Sequence, residues 1–257
     1  MIEIRMFGPL SVRVGERVLG HRDLGGVKPR RLLELLLVQE RAVAKEELIE
    51  DLWGAKLPRD PMATLEAYVS VLRSSLQPGV HRDQSLIATQ PGAYRLVRER
   101  ADIDVDRFDA LLRALPVADT VERRTMLAEA ALLASAPLLE DERYAEWVQG
   151  PRRHYDLVRL DVHVAAAEAQ LEAGMTAAAF DLAERAVRID RSCEPAYHVA
   201  MRAAGQLGRR DLVMRWFEHC ERALRLELDV PVMPATVDLR DQLLGERQLV
   251  GASSRFR

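Results

Sequence analysis

The chain has 257 residues, 37 basic and 40 acidic, for a formal net charge of −3. With 48% hydrophobic and 30% charged residues it can build a core, which excludes a disordered chain. Two cysteines, Cys193 and Cys220, are too few for a disulfide scaffold or a multi-cysteine metal cluster. The start, Met1-Ile2-Glu3-Ile4-Arg5, is charged and alternating, unlike a signal peptide. No apolar run reaches the ~18–20 residues a spanning helix needs, so a cytoplasmic protein away from the membrane is expected.

In chain order, the first twenty residues alternate. Ile2, Ile4 and Met6 share one face, Val12 and Val14 flank Arg13, and Gly15-Glu16 separates these from Arg17-Val18-Leu19. Period two with a glycine turn predicts short antiparallel strands. Lys28-Pro29-Arg30-Arg31 then opens a leucine-rich helix, with proline in the first turn where its missing N–H costs little. Ala44 to Trp53 predicts a second helix, stopped by Gly54. Asp60-Pro61 caps a third, running to about Leu76, and Gln77-Pro78-Gly79 ends it. Leu86 to Thr89 and Ala93 to Val97, joined through Gln90-Pro91-Gly92, form a hairpin signal.

The acid-rich stretch Glu99 to Asp106 is expected as a linker. Beyond Ile103 only helical patterns follow: Asp104 to Leu115, Thr120 to Ala136, Tyr144 to Ala173, Thr176 to Ile189, Glu194 to Leu207, Arg209 to Leu228, and a short helix after Pro234. Gly174 and Gly208 lie 34 residues apart, and Phe180, Leu182, Ala183 and Ala186 align with Met214, Trp216, Phe217 and Cys220. That period is the one of tetratricopeptide helix pairs. The expectation is an α+β winged helix-turn-helix with an N-terminal sheet over residues 1–98, then an all-α, tetratricopeptide-like domain over 103–248. Trp147, Trp216, Tyr144, Tyr155 and Tyr197 are expected between helices, and both cysteines are read as packing residues.

Catalytic patterns are missing. The six histidines show no His-Glu-x-x-His spacing. Asp102, Asp104 and Asp106 begin like a calcium loop, but Arg113 stands where the twelfth-position glutamate belongs. Gly25-Gly26-Val27-Lys28 lacks the Walker spacing, and Gly-x-Ser-x-Gly is absent. No enzyme, cofactor or metal site is expected.

Three helices and a hairpin point instead to a duplex reader whose third helix enters the major groove. Leu65, Val69, Leu72 and Leu76 form its apolar stripe. The opposite face presents Ala63, Ala67, Ser70, Val71 and Ser74, with Thr64 and Arg73 on its flanks. Arg73 is its strong donor and is expected to fork onto a guanine, while Ala67 and Val71 pack on thymine methyls. Lys28, Arg30, Arg31 and Lys45 at helix starts, and Gln90 and Arg95 on the hairpin with Arg82 beside it, are expected near phosphates. The nearly uncharged face leaves a second reading open: a protein-interaction adaptor, or a ligand-sensing regulator with weakened DNA binding.

The motif series Glu3-Ile4-Arg5-Met6-Phe7-Gly8-Pro9-Leu10-Ser11-Val12, Lys28-Pro29-Arg30-Arg31-Leu32-Leu33, Glu47-Leu48-Ile49-Glu50-Asp51-Leu52-Trp53-Gly54, Thr64-Leu65 through Leu72-Arg73, and Thr89-Gln90-Pro91-Gly92-Ala93-Tyr94-Arg95-Leu96 resembles the Streptomyces antibiotic regulatory protein family. The helical half is similar to that family's bacterial transcriptional activation domain. The resemblance implies an OmpR-type winged helix that binds direct repeats near a promoter −35 region. It also implies a side-by-side homodimer on double-stranded DNA and recruitment of RNA polymerase holoenzyme through the loop Gly54 to Asp60. Larger relatives add a nucleotide-binding ATPase domain, which this sequence is expected to lack. Family members usually carry basic residues where this chain has Glu66, Val71 and Ser74.

Overall fold

The computed structural model describes residues 1–245. They fall into two compact units, one of residues 1–110 with 136–155, the other of 111–135 with 156 onward. The end of the expected second domain, residues 246–248, lies outside the described residues.

In the first unit, β1 (Ile2–Arg5), β2 (Ser11–Val14) and β3 (Arg17–Leu19) form the predicted meander, with Ile4 opposite Val12 and Val12 opposite Leu19. Alternation buries Ile2, Ile4, Val12 and Leu19 on one side. α1 (Val27–Val38) buries five leucines, Leu32, Leu33, Leu35, Leu36 and Leu37, too many for one stripe, so it is covered on several sides. β4 (Val43–Ala44) leads into α2 (Lys45–Trp53). α3 (Pro61–Leu76) starts as read: Pro61 sits in the first turn and the Asp60 carboxylate accepts from the Ala63 N–H at 2.9 Å. Its stripe Leu65, Val69, Leu72 and Leu76 is buried. β5 (Ile87–Gln90) and β6 (Ala93–Leu96) make the hairpin around Gly92, whose φ of 68° needs glycine. Strand β4 completes a three-stranded sheet in the order β4-β6-β5.

The expected linker is a strand instead. β7 (Asp102–Ile103) pairs parallel with β1, Glu3 opposite Asp102, and closes a sheet ordered β3-β2-β1-β7. Asp104, the first residue of α4 (Asp104–Ala114), is buried, and its carboxylate accepts from the N–H groups of Met6 and Phe7 at 2.8 and 3.0 Å. Burial raises its pKa, and those N–H donors oppose the shift. The chain returns at Pro137–Glu140, where the Gly8 N–H donates to the Pro137 carbonyl and the Leu139 N–H to that of Met6. Phe7, Phe108 and Tyr155 meet edge to face, with Phe7 and Phe108 5.2 Å apart. The first unit thus gathers segments far beyond the single cut expected near residues 98–103.

The second unit is helical. It contains α5 (Thr120–Leu133), most of α6 (Glu146–Glu172), α7 (Thr176–Ile189), α8 (Glu194–Gln206), α9 (Arg210–Glu227) and α10 (Pro234–Leu244). A capping box of Asp119 and Glu122 starts α5. The 34-residue repeat places Gly174 and Gly208 at the turns before α7 and α9, at φ of 75° and 69°. Alanines let the helices cross closely: Ala167, Ala179, Ala183, Ala200 and Ala203 are fully buried together. Trp216 stands between Phe180 and Tyr197, as expected of it. Tyr144, also expected between helices, is 95% exposed, because the turn before α6 leaves it without cover. The buried Glu194 carboxylate accepts from the Met233 N–H and the Thr236 hydroxyl, tying α10 to α8.

Candidate nucleic-acid interface

α3 lies between two supports. On one flank, Ser75 Oγ donates to the Asp23 carbonyl at 2.6 Å, and Val71 rests on Gly25. A Cβ on Gly25 would stand 2.5 Å from Val71 Cγ1, and Gly25 has φ of +87°, so glycine is required there twice over. Val71 is therefore partly spent on packing, and only 39% of it reaches solvent. On the other flank, Arg73 reaches the hairpin. Its Nε and Nη2 donate to the Ile87 carbonyl at 3.0 and 2.7 Å, and Nη2 donates to Thr89 Oγ1 at 2.7 Å. The guanidinium carbon sits 6.0 Å from the Tyr94 ring centre. Partial burial lowers the Arg73 pKa, with the nearby Arg82 charge acting the same way. The residue read as a base-contacting donor is instead a brace between the helix and β5, the edge strand of its sheet.

The open face that remains holds Ala63, Ala67, Ser70 and Ser74, all exposed. Ser74 Oγ donates back to the Ser70 carbonyl at 3.0 Å, and half-buried Thr64 Oγ1 donates to the Asp60 carbonyl at 2.6 Å. These hydroxyls keep acceptor lone pairs for an outside donor. Glu66, the one acid on this side of the helix, is paired: Lys45 Nζ lies 2.6 Å from its Oε1 and 5.3 Å from the Tyr94 ring centre. That hydrogen bond raises the Lys45 pKa.

The basic start of α1 points elsewhere than expected. Lys28 Nζ donates to the Leu52 carbonyl at the end of α2, and burial, then Arg31, lowers its pKa. Arg30 is buried: Nε bonds Glu34 at 3.0 Å, Nη2 bonds Asp141 at 2.6 Å, and Nη1 lies about 3 Å from the His21 ring nitrogens. Arg31 pairs with Glu142 at 2.8 Å. Arg152 holds the same segment by donating to the Leu138 carbonyl at 2.8 Å. Arg30 and Arg31 were expected at phosphates; their guanidiniums serve carboxylates 111 residues away, and a group so engaged cannot also clamp a duplex.

Other cations stand open. Arg95 projects from β6 on the side opposite buried Tyr94 and Leu96, and Gln90 is exposed beside the hairpin turn. Arg82 precedes the hairpin, and Arg59 immediately precedes the Asp60 cap. Among the described residues, no ion-pair partner is found for Arg59, Arg82 or Arg95. Arg59 escaped the sequence reading because its place next to the Asp60 cap is the one mark on a single arginine in the Gly54–Asp60 loop.

The described residues contain no group of three or more metal-ligating side chains. They also contain no helix long and apolar enough to cross a membrane. The model of the bacterial transcriptional activator domain matches residues 103–244, more than half of the chain, and that of the transcriptional regulatory protein C-terminal domain matches residues 25–96.

The chain belongs to the Streptomyces antibiotic regulatory protein family of transcriptional regulators.

Relatives in this family include the transcriptional regulatory protein MoaR1 of Mycobacterium tuberculosis, 28% identical across 72% of this chain and 61% of its own length. The regulatory protein AfsR of Streptomyces griseus is 26% identical across 95% of this chain and 24% of its own. The chain thus spans under two thirds of either relative. The solved structure of Mycobacterium tuberculosis EmbR, in complex with a low-affinity phosphopeptide, superposes with a TM-score of 0.77 at 23% identity, over 95% of this chain and 65% of EmbR. That likeness shows a shared architecture, a small sheet with winged-helix elements followed by an all-helical domain.

Proposed function

We propose that this chain is a sequence-specific, double-stranded-DNA-binding transcriptional activator acting in the cytoplasm. The observation that carries the reading is the open face of α3, made of small, uncharged side chains, together with exposed arginines that form no ion pair just before the helix (Arg59), before the hairpin (Arg82) and on it (Arg95). A helix lined by Ala63, Ala67, Ser70 and Ser74 can lie deep in a major groove, because short side chains bring its backbone close to base edges. Ala67 and exposed Val71 methyls suit thymine methyl groups, and Ser70, Ser74 and Thr64 suit base-edge donors. Arg59, Arg82 and Arg95, with Gln90 at the hairpin tip, hold phosphates. Lys45 contributes less, since Glu66 neutralises it. Lys28, Arg30 and Arg31 are engaged within the protein, and Arg73 positions the wing.

The regulatory relatives support a role in transcription control; we extend the proposal to the setting that the sequence resemblance implies, binding to direct repeats near a −35 element as a homodimer, with RNA polymerase holoenzyme meeting the Gly54–Asp60 loop, in control of a secondary-metabolite cluster. Nothing in this reading assigns a catalytic step or a cofactor to the chain.

Fluorescence anisotropy on duplexes from the gene's own neighbourhood, over a range of salt, tests it. Each phosphate contact contributes about −0.9 to the slope of log affinity against log salt, so removing Arg59, Arg82 or Arg95 singly should flatten it by about that amount. A slope unchanged in all three variants, or no duplex bound over nonspecific background, refutes the reading.

A further inference from the structure

The second unit carries a cleft that the DNA reading leaves unused. It lies between the C-terminal ends of α7 and α9 and has a volume of about 280 Å³. Val187, Ala223 and Leu226 give it apolar walls; Arg188, Arg191 and Arg222 rim it. Tyr197 backs it, buried and fixed by its hydroxyl donating to the Arg191 carbonyl at 2.9 Å. Glu227 is the one carboxylate of the lining. Arg188 has a distant partner, Glu184 at 3.4 Å, while no ion pair engages Arg191 or Arg222 among the described residues. This positive rim sits on an acidic stretch of chain: residues 98–257 hold 23 basic and 28 acidic side chains. Three arginines around one cleft on such a background are a local concentration of positive charge that Glu227 and the Arg188–Glu184 pair offset only in part.

We propose that this cleft is a docking site for an acidic peptide segment of a partner protein, with one leucine-like side chain as its anchor. Arginine forks match carboxylates in geometry as well as charge, which fixes the sign of the partner. Its openness favours a peptide over a small organic anion. At about 280 Å³ it is at the small end of cavities that hold small ligands, about 300 to 1,000 Å³, and it stands open at Leu226, which is 77% exposed. Such a cleft buries one apolar side chain and leaves the rest of the ligand on the surface. That surface continues apolar: Leu228 is 56% exposed and Val230 43%. An extended segment with a leucine in the cleft and acids beside it covers both features, where a compact anion would cover one.

The test uses the full chain and a small panel of labelled peptides, each placing one leucine among glutamates and aspartates at different spacings, read by fluorescence polarisation. Saturable binding of at least one peptide is expected. The Arg191→Gln/Arg222→Gln double variant, checked for unchanged helicity and melting, should weaken it about tenfold or more, as loss of charge-assisted pairs does. Replacing the peptide leucine by alanine should weaken it several-fold. Failure of every panel member to saturate, equal binding by the double variant, or equal binding by the leucine-free peptide overturns the proposal. Displacement of the peptide by benzoate or inorganic phosphate at equal concentration also overturns it, since that is the signature of a small-anion pocket. The double variant should bind duplex DNA as the parent does, so the outcome stands apart from the DNA reading.

Discussion

Replacing Arg73 by alanine separates two roles that a helical wheel cannot distinguish. In the structure the guanidinium gives three hydrogen bonds, two to the Ile87 carbonyl and one to Thr89 Oγ1, and joins α3 to the wing. Hydrogen bonds from a charged donor contribute about 1.5–3 kcal/mol apiece when removed from a buried site. Arg73 is half-buried, and its two bonds to one carbonyl are not independent, so the whole brace is worth about 2–3 kcal/mol. Urea unfolding of Arg73→Ala should show that loss, with the wing residues Ile87 to Leu96 gaining the most hydrogen exchange. DNA affinity should fall evenly across sequences, because the wing loses its position and no base loses a partner. The salt slope should flatten by at most about 0.9, the share of Arg95, the cation on the wing strands. A base-contacting arginine behaves differently: its loss relaxes preference at one base pair by about 1–3 kcal/mol. Relaxed specificity at a single position with unchanged stability would refute the brace.

Other perturbations have equally definite outcomes. Gly25→Ala should destabilise by more than about 2 kcal/mol, from left-handed strain of about 1–2 and overpacking of about 1–3 kcal/mol against Val71, and Val71→Ala should restore part of it in a thermal melt. Arg30→Met leaves Glu34 buried without its partner and should cost about 3 kcal/mol. Burial, opposed by Arg30, raises the Glu34 pKa to about 7, so the loss seen by chemical unfolding should be greater above that pH, where the carboxylate is charged, than below it. His163, buried in α6 with Nδ1 2.8 Å from the Arg159 carbonyl, has its pKa lowered by burial from 6.5 to about 4. The unfolded chain therefore binds the extra proton first, and stability falls as pH drops from about 6.5 to about 4. His163→Leu should flatten that limb of the stability profile; an unaltered limb would place the acid sensitivity elsewhere.

Periodic segments were readable from sequence because their pattern reports one buried side. The leucine stripe of α3, the Asp60 cap, the Pro91-Gly92 turn and the 34-residue repeat all predict their elements to within a residue or two. β4 and β7 escaped because two-residue strands carry no period, and β7 owes its existence to β1, about one hundred residues earlier. The direction of the cations was equally out of reach. Arg30 and Arg31 look like a basic helix start until Asp141 and Glu142 are brought alongside, and Arg73 lies on a flank whose neighbour, the wing, is set by tertiary packing. Charge near an interface is visible in sequence; whether that charge is already occupied is a property of the fold.

The central claim is that the Ala67 face of α3 enters the duplex, and directed cleavage tests it most directly. An iron chelate attached through Ala67→Cys in a Cys193→Ser background labels residue 67, because Cys220 is buried and burial pushes its thiol up to about 12. The account predicts cleavage confined to the bound site with the pattern of a major-groove source, and background cutting when the chelate is carried by Val18→Cys on β3, a position 64% exposed in the sheet that lacks the wing strands. Equal cutting from both positions, or none from residue 67 on a duplex the protein demonstrably binds, would contradict it.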